Sequence, residues 1–261
     1  MIDLTYVRSF FPPAITNESR FDRYMLKEYL QLMVLDYLSS TSYINKVSFI
    51  GGTNLRLIQG IDRFSEDLDF DCKEMDEAEF MAMTDGIVAF LRMNNIKVET
   101  RDKANPRLTA FRRNLLFPQL LFELGLTGHR EERFLIKVEA QDQGIAYQPE
   151  IVTLNRMGFF FNLQVPPIDI LCAMKLSALV ARQKGRDFYD SIFLLSKTRP
   201  NYDFLKAKIG VSSLEELKER TEEVLQTVDL RQKKRDFQHL LFNEDNAERI
   251  LQFGSFISSL T

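Results

Sequence analysis

Three carboxylates at alternate positions, Asp67, Asp69 and Asp71, follow a Gly51–Gly52–Thr53 turn in the stretch FIGGTNLRLIQGIDRFSEDLDFD, residues 49–71. Read as a β-strand, DLDFDC puts these acids on one face and Leu68 and Phe70 on the other, because side chains alternate along a strand. Same-face neighbours lie about 6.5–7 Å apart at Cα, so Asp67 and Asp69 can converge on one divalent ion or bridge two. Two such ions would clamp the attacking and leaving oxygens of an in-line phosphoryl displacement. Hard oxygen ligands select Mg²⁺ or Mn²⁺ over zinc. The competing reading is an edge strand whose acids face water, and the acids alone favour it, since short acidic motifs match by chance.

Other uses of such acids fit less well. An EF-hand loop needs Gly after its third acid and Glu at its last position, where this chain has Cys72 and Ala78. A phosphatase of the haloacid dehalogenase type has D-x-D at the end of an apolar strand, whereas DRFSE before Asp67 is polar and turn-like. The glycine turn shifts the balance. A strand ending in Gly51–Gly52, followed by Thr53 and a helix, lets backbone N–H groups approach a phosphate at a helix N-terminus. Glycine turn, short helix and D-x-D strand together set a phosphate cradle beside a metal site, an arrangement suited to transfer from a nucleoside triphosphate.

The elements that must position these groups follow from periodicity. RFDRYMLKEYLQLMVLDYL carries Phe21, Tyr24, Met25, Leu32 and Leu35 at helical spacing and predicts a helix with one buried face. KVSFIGG reads as a strand ending at glycines, and TNLRLIQG as a short helix ending near Gly60. MDEAEFMAMTDGIVAFLRMNN reads as a helix with acids in its first turn, which suits the positive end of the dipole. IKVETRD, RLTAFRRN, QLLFELGL, RFLIKVEAQ and MGFFFNLQV have strand character. Pro166–Pro167 then breaks the chain. Beyond it IDILCAMKLSALVARQ, RDFYDSIFLLSK, SSLEELKERTEEVLQTV and NAERILQFGSFISSL are helical in pattern. The expected class is α+β: an α/β domain over residues 1–165, then a helical C-terminal domain over 166–261.

At these residues the chain resembles the DNA polymerase β-like nucleotidyltransferase superfamily, whose first motif is an apolar residue, Gly-Gly or Gly-Ser, a spacer and D-x-[DE]. More closely, GGTNLRL…DRFSEDLDFD with the later MKLSALVARQKGRDFYDSIFLL resembles the AbiEii/AbiGii-type abortive-infection toxins of bacteria. Those toxins carry a lysine near a helix start and then an Arg-Asp-aromatic-x-Asp run. The resemblance covers residues 30–200; the remainder matches only as helical. It implies a nucleotidyltransferase-like mixed sheet flanked by helices. It makes Asp67 and Asp69 metal ligands, with Gly51, Gly52 and Thr53 at the phosphates. Arg63 and Ser65 fall on an Arg-x-Ser that shapes the turn or touches phosphate. Lys175 would neutralise the triphosphate, Asp187 and Asp190 would orient Lys175 or an acceptor, and Glu139 is the candidate third metal ligand. The activity implied is Mg²⁺- or Mn²⁺-dependent transfer from an NTP to an acceptor hydroxyl, by the toxin of a toxin–antitoxin pair. RNA such as tRNA is the expected acceptor, a protein hydroxyl the alternative, and a cognate antitoxin the expected partner. A non-catalytic binding module on the same fold is a further alternative, disfavoured because a scaffold gains nothing from two close acids.

Each residue also has a plainer reading. Lys175 could sit in a surface ion pair of little energetic weight, Asp187 could cap the helix it opens, and Glu139 could face water. Arg182, Lys184 and Arg186 either line an RNA groove or form a solvated loop. RQKKR, residues 231–235, reads as a solvated helix face, and Phe159–Phe161 as core strand; His129 and His239 have no partner pattern. Composition agrees with a soluble protein: 261 residues, 45% hydrophobic, 27% charged, net charge −3, 22 Phe and no Trp. No global basic field points to nucleic acid. Cys72 and Cys172 lie far apart, and with two histidines they supply a structural zinc site poorly. No signal peptide or membrane span is expected, so the expected location is cytoplasmic.

Overall fold

The computed structural model describes residues 2–101 and 110–261. Parts of two expected strands, IKVETRD and RLTAFRRN, fall on residues 102–109, outside the described residues. Contacts divide the chain into two compact units. The first gathers residues 1–58, 64–144 and 149–165, and the second gathers Gln59–Arg63, Ile145–Gln148 and Pro166–Thr261.

The first unit is built on a five-stranded sheet of β1 (Val47–Ile50), β2 (Leu68–Cys72), β3 (Glu99–Thr100), β4 (Phe111–Leu116) and β5 (Leu135–Gln141). The spatial order is β1-β2-β5-β4-β3, with β2 and β5 parallel and the other neighbours antiparallel. Register sorts the side chains. Asp69 stands opposite Ile50 on one side and Glu139 on the other, Glu139 opposite Arg112, and Lys137 opposite Asn114. Since alternation is strict, Asp69, Glu139, Lys137, Arg112 and Asn114 share one face. Phe49, Leu68, Phe70, Ile136, Val138 and Leu115 share the other and are buried. Each such side chain contributes about 1.5–3 kcal/mol through burial. The sheet is thus apolar on one side and ionic on the other, which fixes its register, since a one-residue slip would exchange the faces.

The Glu77–Met93 helix packs on β4, and the Asp22–Ser39 helix packs against it. Asp76 caps the former, its carboxylate accepting the Glu79 amide at 2.8 Å. The Asp22–Ser39 helix was expected to bury one face. It is instead buried nearly all round, Lys27, Glu28 and Gln31 included. The polar groups are matched: Glu28 accepts from Arg56 at 2.8 Å and from Arg156 at 2.9 Å.

Two other expectations change. QLLFELGL is not a strand: Leu120–Glu123 forms one helical turn, entered through Gln119 at φ +61° and left at Gly125 at φ +70°. MGFFFNLQV begins two residues before its strand. Met157 and Gly158, at φ +51° and +80°, form the two-residue turn joining β6 (Glu150–Arg156) to β7 (Phe159–Val165).

In the second unit Pro167 precedes the Ile168–Arg182 helix, which packs against the Gly185–Leu195 and Tyr202–Ile209 helices. Its core includes Leu171, Leu176, Leu179 and an edge-on Phe188–Phe253 pair with ring centroids 5.1 Å apart. NAERILQFGSFISSL is a tighter 3₁₀ stretch over Glu244–Gln252 followed by the Phe253–Ser259 α-helix. No helix among the described residues is long and apolar enough to cross a membrane.

Candidate active site

The glycine turn and the acid strand meet as directly as two segments can. The chain leaves β1 at Ile50 and turns into a helix at Gly51, which has φ +80°. A Cβ built on Gly51 would stand 2.1 Å from Oδ2 of Asp69. Glycine is therefore required twice, for the left-handed backbone and for the carboxylate resting on its Cα. The helix runs over Gly51–Asn54 and continues with wider π-type winding over Leu55–Gln59. Among the described residues no side chain caps its start.

Thr53 is fully buried, and its hydroxyl donates to the backbone carbonyl of Asp67. That bond clamps the turn to the chain entering β2. Asn54 reinforces it by donating Nδ2 to the Phe49 carbonyl at 2.7 Å. On the other side, Gln31 donates to the Ser65 carbonyl at 3.2 Å and Lys27 pairs with Glu66 at 3.1 Å. Asp67 is thus fixed from two directions.

On the ionic face Asp67 and Glu139 each have a cation nearby. Lys137 Nζ lies 3.2 Å from Asp67 Oδ2, and Arg112 pairs with Glu139. Both carboxylates are partly exposed, at 22% and 23%. Asp71, one pleat beyond Asp69, is sealed and accepts the Gln143 amide at 2.9 Å. It belongs to the scaffold that carries Asp67 and Asp69. Lys137 and Arg112 were not singled out from the sequence. The signal was present, because LIKVEAQ alternates Lys137, Glu139 and Gln141 with Ile136, Val138 and Ala140 just as DLDFDC does.

The donor chemistry suits a divalent cation. Among the described residues no three His, Cys, Asp or Glu side chains form a ready metal cage. Magnesium characteristically uses one or two carboxylates and completes its shell with water and substrate phosphates. Asp67 and Asp69 could supply such a pair, beside the glycine turn.

The remaining expected site residues lie in the second unit. Arg63 is completely buried and gives Nε and Nη2 to Asp190 at 2.7 and 2.8 Å. Lys175 Nζ reaches the same carboxylate at 2.9 Å. Burial by itself would raise the Asp190 carboxyl, yet Arg63 and Lys175 hold it down to about 2. Asp187 is engaged elsewhere: it accepts from Arg182 at 2.7 and 2.9 Å and from the Lys184 amide at 3.2 Å, closing the start of the Gly185–Leu195 helix. Next to the triad Asp62 accepts from Tyr189 and Asn246, each at 2.7 Å. Burial first, and then Asp62, push the Tyr189 phenol well above its ordinary range.

Residues 34–255 match the family model described as "Nucleotidyl transferase AbiEii toxin, Type IV TA system". Among solved structures, MenT4, a nucleotidyltransferase toxin from Mycobacterium tuberculosis, superposes with a TM-score of 0.61 at 18% identity, covering 100% of this chain and 91% of its own. JHP933 from Helicobacter pylori gives 0.55 at 19% identity, covering 91% of each chain. At such identities these likenesses establish the fold, a mixed sheet flanked by helices, as expected. The curated proteins give no match.

Proposed function

From a chain that belongs to the AbiEii family of nucleotidyltransferase toxins in type IV toxin–antitoxin systems, we propose a Mg²⁺-dependent enzyme that moves a nucleotide from an NTP to a hydroxyl on RNA, with tRNA as the acceptor class. The observation that carries this reading is the contact of Gly51 with the Asp69 carboxylate, because it brings the glycine turn against an acid proposed to bind metal. The backbone at Gly51, Gly52 and Thr53 would receive the leaving pyrophosphate. Thr53 acts through Asp67, whose carbonyl it holds, and its backbone remains the part that can face phosphate. Asp67 and Asp69 would hold the divalent ion, which when bound screens charge on the phosphates. Lys137, beside Asp67, is placed to share that load.

Glu139 stands next to Asp69 in register and remains a proposed third ligand, one that must release Arg112 to serve. Lys175 is proposed for charge neutralisation on its motif, and Asp190 is the group that holds it. Arg63 and Ser65 serve the backbone before β2; a phosphate contact by Arg63 would require it to leave Asp190. Asp187 closes a helix start. The partner implied by the family is an antitoxin.

The test incubates the protein and Mg²⁺ with each NTP labelled at the α-phosphate and total bacterial RNA. Label should reach RNA; EDTA should abolish it, and Asp69→Asn should slow it by about a hundredfold or more. Label on protein alone moves the acceptor to a protein hydroxyl. A folded protein that labels neither sinks the reading.

A further inference from the structure

We propose that the basic cleft beside Asp67 is the subsite for the acceptor strand, gripping the phosphodiester backbone next to the attacking RNA hydroxyl; this rests on the RNA-directed function just stated. The cleft, about 340 Å³, lies wholly within the first unit, and its walls include Arg23, Lys27, Arg133 and Lys137 with Glu66 and Asp67. Two elements supply the cations in pairs. Arg23 and Lys27 stand one helical turn apart on the Asp22–Ser39 helix. Arg133 and Lys137 share a face of the extended chain through β5.

Four cations meet three carboxylates, Glu66 and Asp67 in the walls and Glu132 beside Arg23, an excess of one positive charge in a chain whose net charge is −3. Three of the cations have carboxylate partners: Arg23 with Glu132 at 2.5 Å, Lys27 with Glu66 at 3.1 Å, and Lys137 with Asp67 at 3.2 Å. Arg133 is exposed and has no ion pair among the described residues. Its planar fork of donors suits a phosphate oxygen pair. The volume sits at the low end for small-ligand sites, room for one nucleotide of a strand and not for a folded stem.

Position decides between the two anions that reach this active site. Gly51, Gly52, Thr53 and Asp69 are absent from the walls of the cleft, whereas Asp67 is one of them. In an in-line displacement the bond to the attacking oxygen forms on the side of phosphorus opposite the bond that breaks. With the pyrophosphate over the glycine turn at Asp69, the attacking hydroxyl comes from the far side of the acid pair. That is the Asp67 side, where the cleft opens.

The experiment compares wild type with Arg133→Glu and with Arg23→Glu/Arg133→Glu. It reads binding of a short fluorescein-labelled single-stranded RNA by anisotropy over a salt series, KM for that RNA, and stabilisation by each NTP with Mg²⁺. Both arginines are exposed, so the fold should survive, and melting temperature checks it. RNA binding and KM should weaken about tenfold or more, and the slope of log K against log salt should shrink by about 0.7 for each phosphate that is no longer neutralised. NTP stabilisation should not move. Unchanged RNA binding and KM in variants of an enzyme that labels RNA would overturn the cleft and leave the function standing. Lost NTP stabilisation with unchanged RNA binding would overturn it too, assigning the cleft to the triphosphate. A wild type that labels no RNA removes the function and this inference together.

Discussion

Asp67 and Asp190 are both aspartates held by a lysine, at 3.2 Å in the first unit and 2.9 Å in the second. Their surroundings differ in kind. Asp190 is fully buried and takes Arg63 as well, so its carboxylate is matched on both oxygens by cations that are themselves buried. Asp67 is 22% exposed, as its Lys137 partner is at 28%, and so it can exchange that partner for another cation at little cost. A sealed carboxylate with two cations is suited to holding groups in place, and a wet one with a single lysine to exchanging its partner. The comparison separates two groups that the sequence presents alike, as acids in motifs.

The largest effect expected from breaking the contrast is Asp190→Ala. It strands Arg63 and Lys175 in the interior and should cost about 3–5 kcal/mol in urea unfolding. Asp69→Asn should do the reverse, lowering kcat by about a hundredfold or more, the scale for removing one group that stabilises transition-state charge. Its unfolding free energy should hold within about 1 kcal/mol. If Asp69→Asn unfolds the chain and Asp190→Ala does not, the assignment of roles is inverted.

Acid sharpens the same line. The Asp190 carboxyl is lowered from 3.8 to about 2, so its contribution is fully present above about pH 4 and is lost as pH falls through about 2. Roughly 2 kcal/mol of stability should disappear over that window in wild type and be absent from Asp190→Asn, read from urea midpoints against pH. Gly51→Ala forces a side chain into the left-handed region, for about 1–2 kcal/mol, and pushes the Asp69 carboxylate aside. Activity should fall with stability there, where Asp69→Asn separates the two. The smallest change is Lys137→Met, which should move stability by under about 1 kcal/mol in the same urea assay.

Much of this site was legible because period-2 alternation carries burial and chemistry in one signal. DLDFDC declared both its apolar face and its acids, and the glycine pair declared a turn. The same alternation in LIKVEAQ announced Lys137 as plainly, but an isolated lysine carries no motif and passed unnoticed. Other features were hidden for physical reasons. The β6 strand exposes most of its residues, so EIVTLNR lacks the regular apolar beat that marks a half-buried strand. QLLFELGL has that density of apolar residues, yet Gln119 at φ +61° turns it into a helical turn, and a glutamine gives no warning of a left-handed backbone. Pairing Arg63 with Asp190 requires knowing which of many charges meet across 127 residues of chain, which local pattern does not encode.

Gln59–Arg63 belongs to the second unit although it lies between two segments of the first. No single cut of the polypeptide can therefore liberate both halves intact. A product stopped at Val165 would carry Arg63 without the carboxylate that neutralises it, and one begun at Pro166 would carry Asp190 without its guanidinium. During synthesis that arginine emerges long before its counter-ion, so the Gly185–Leu195 helix completes an interior that Arg63 begins.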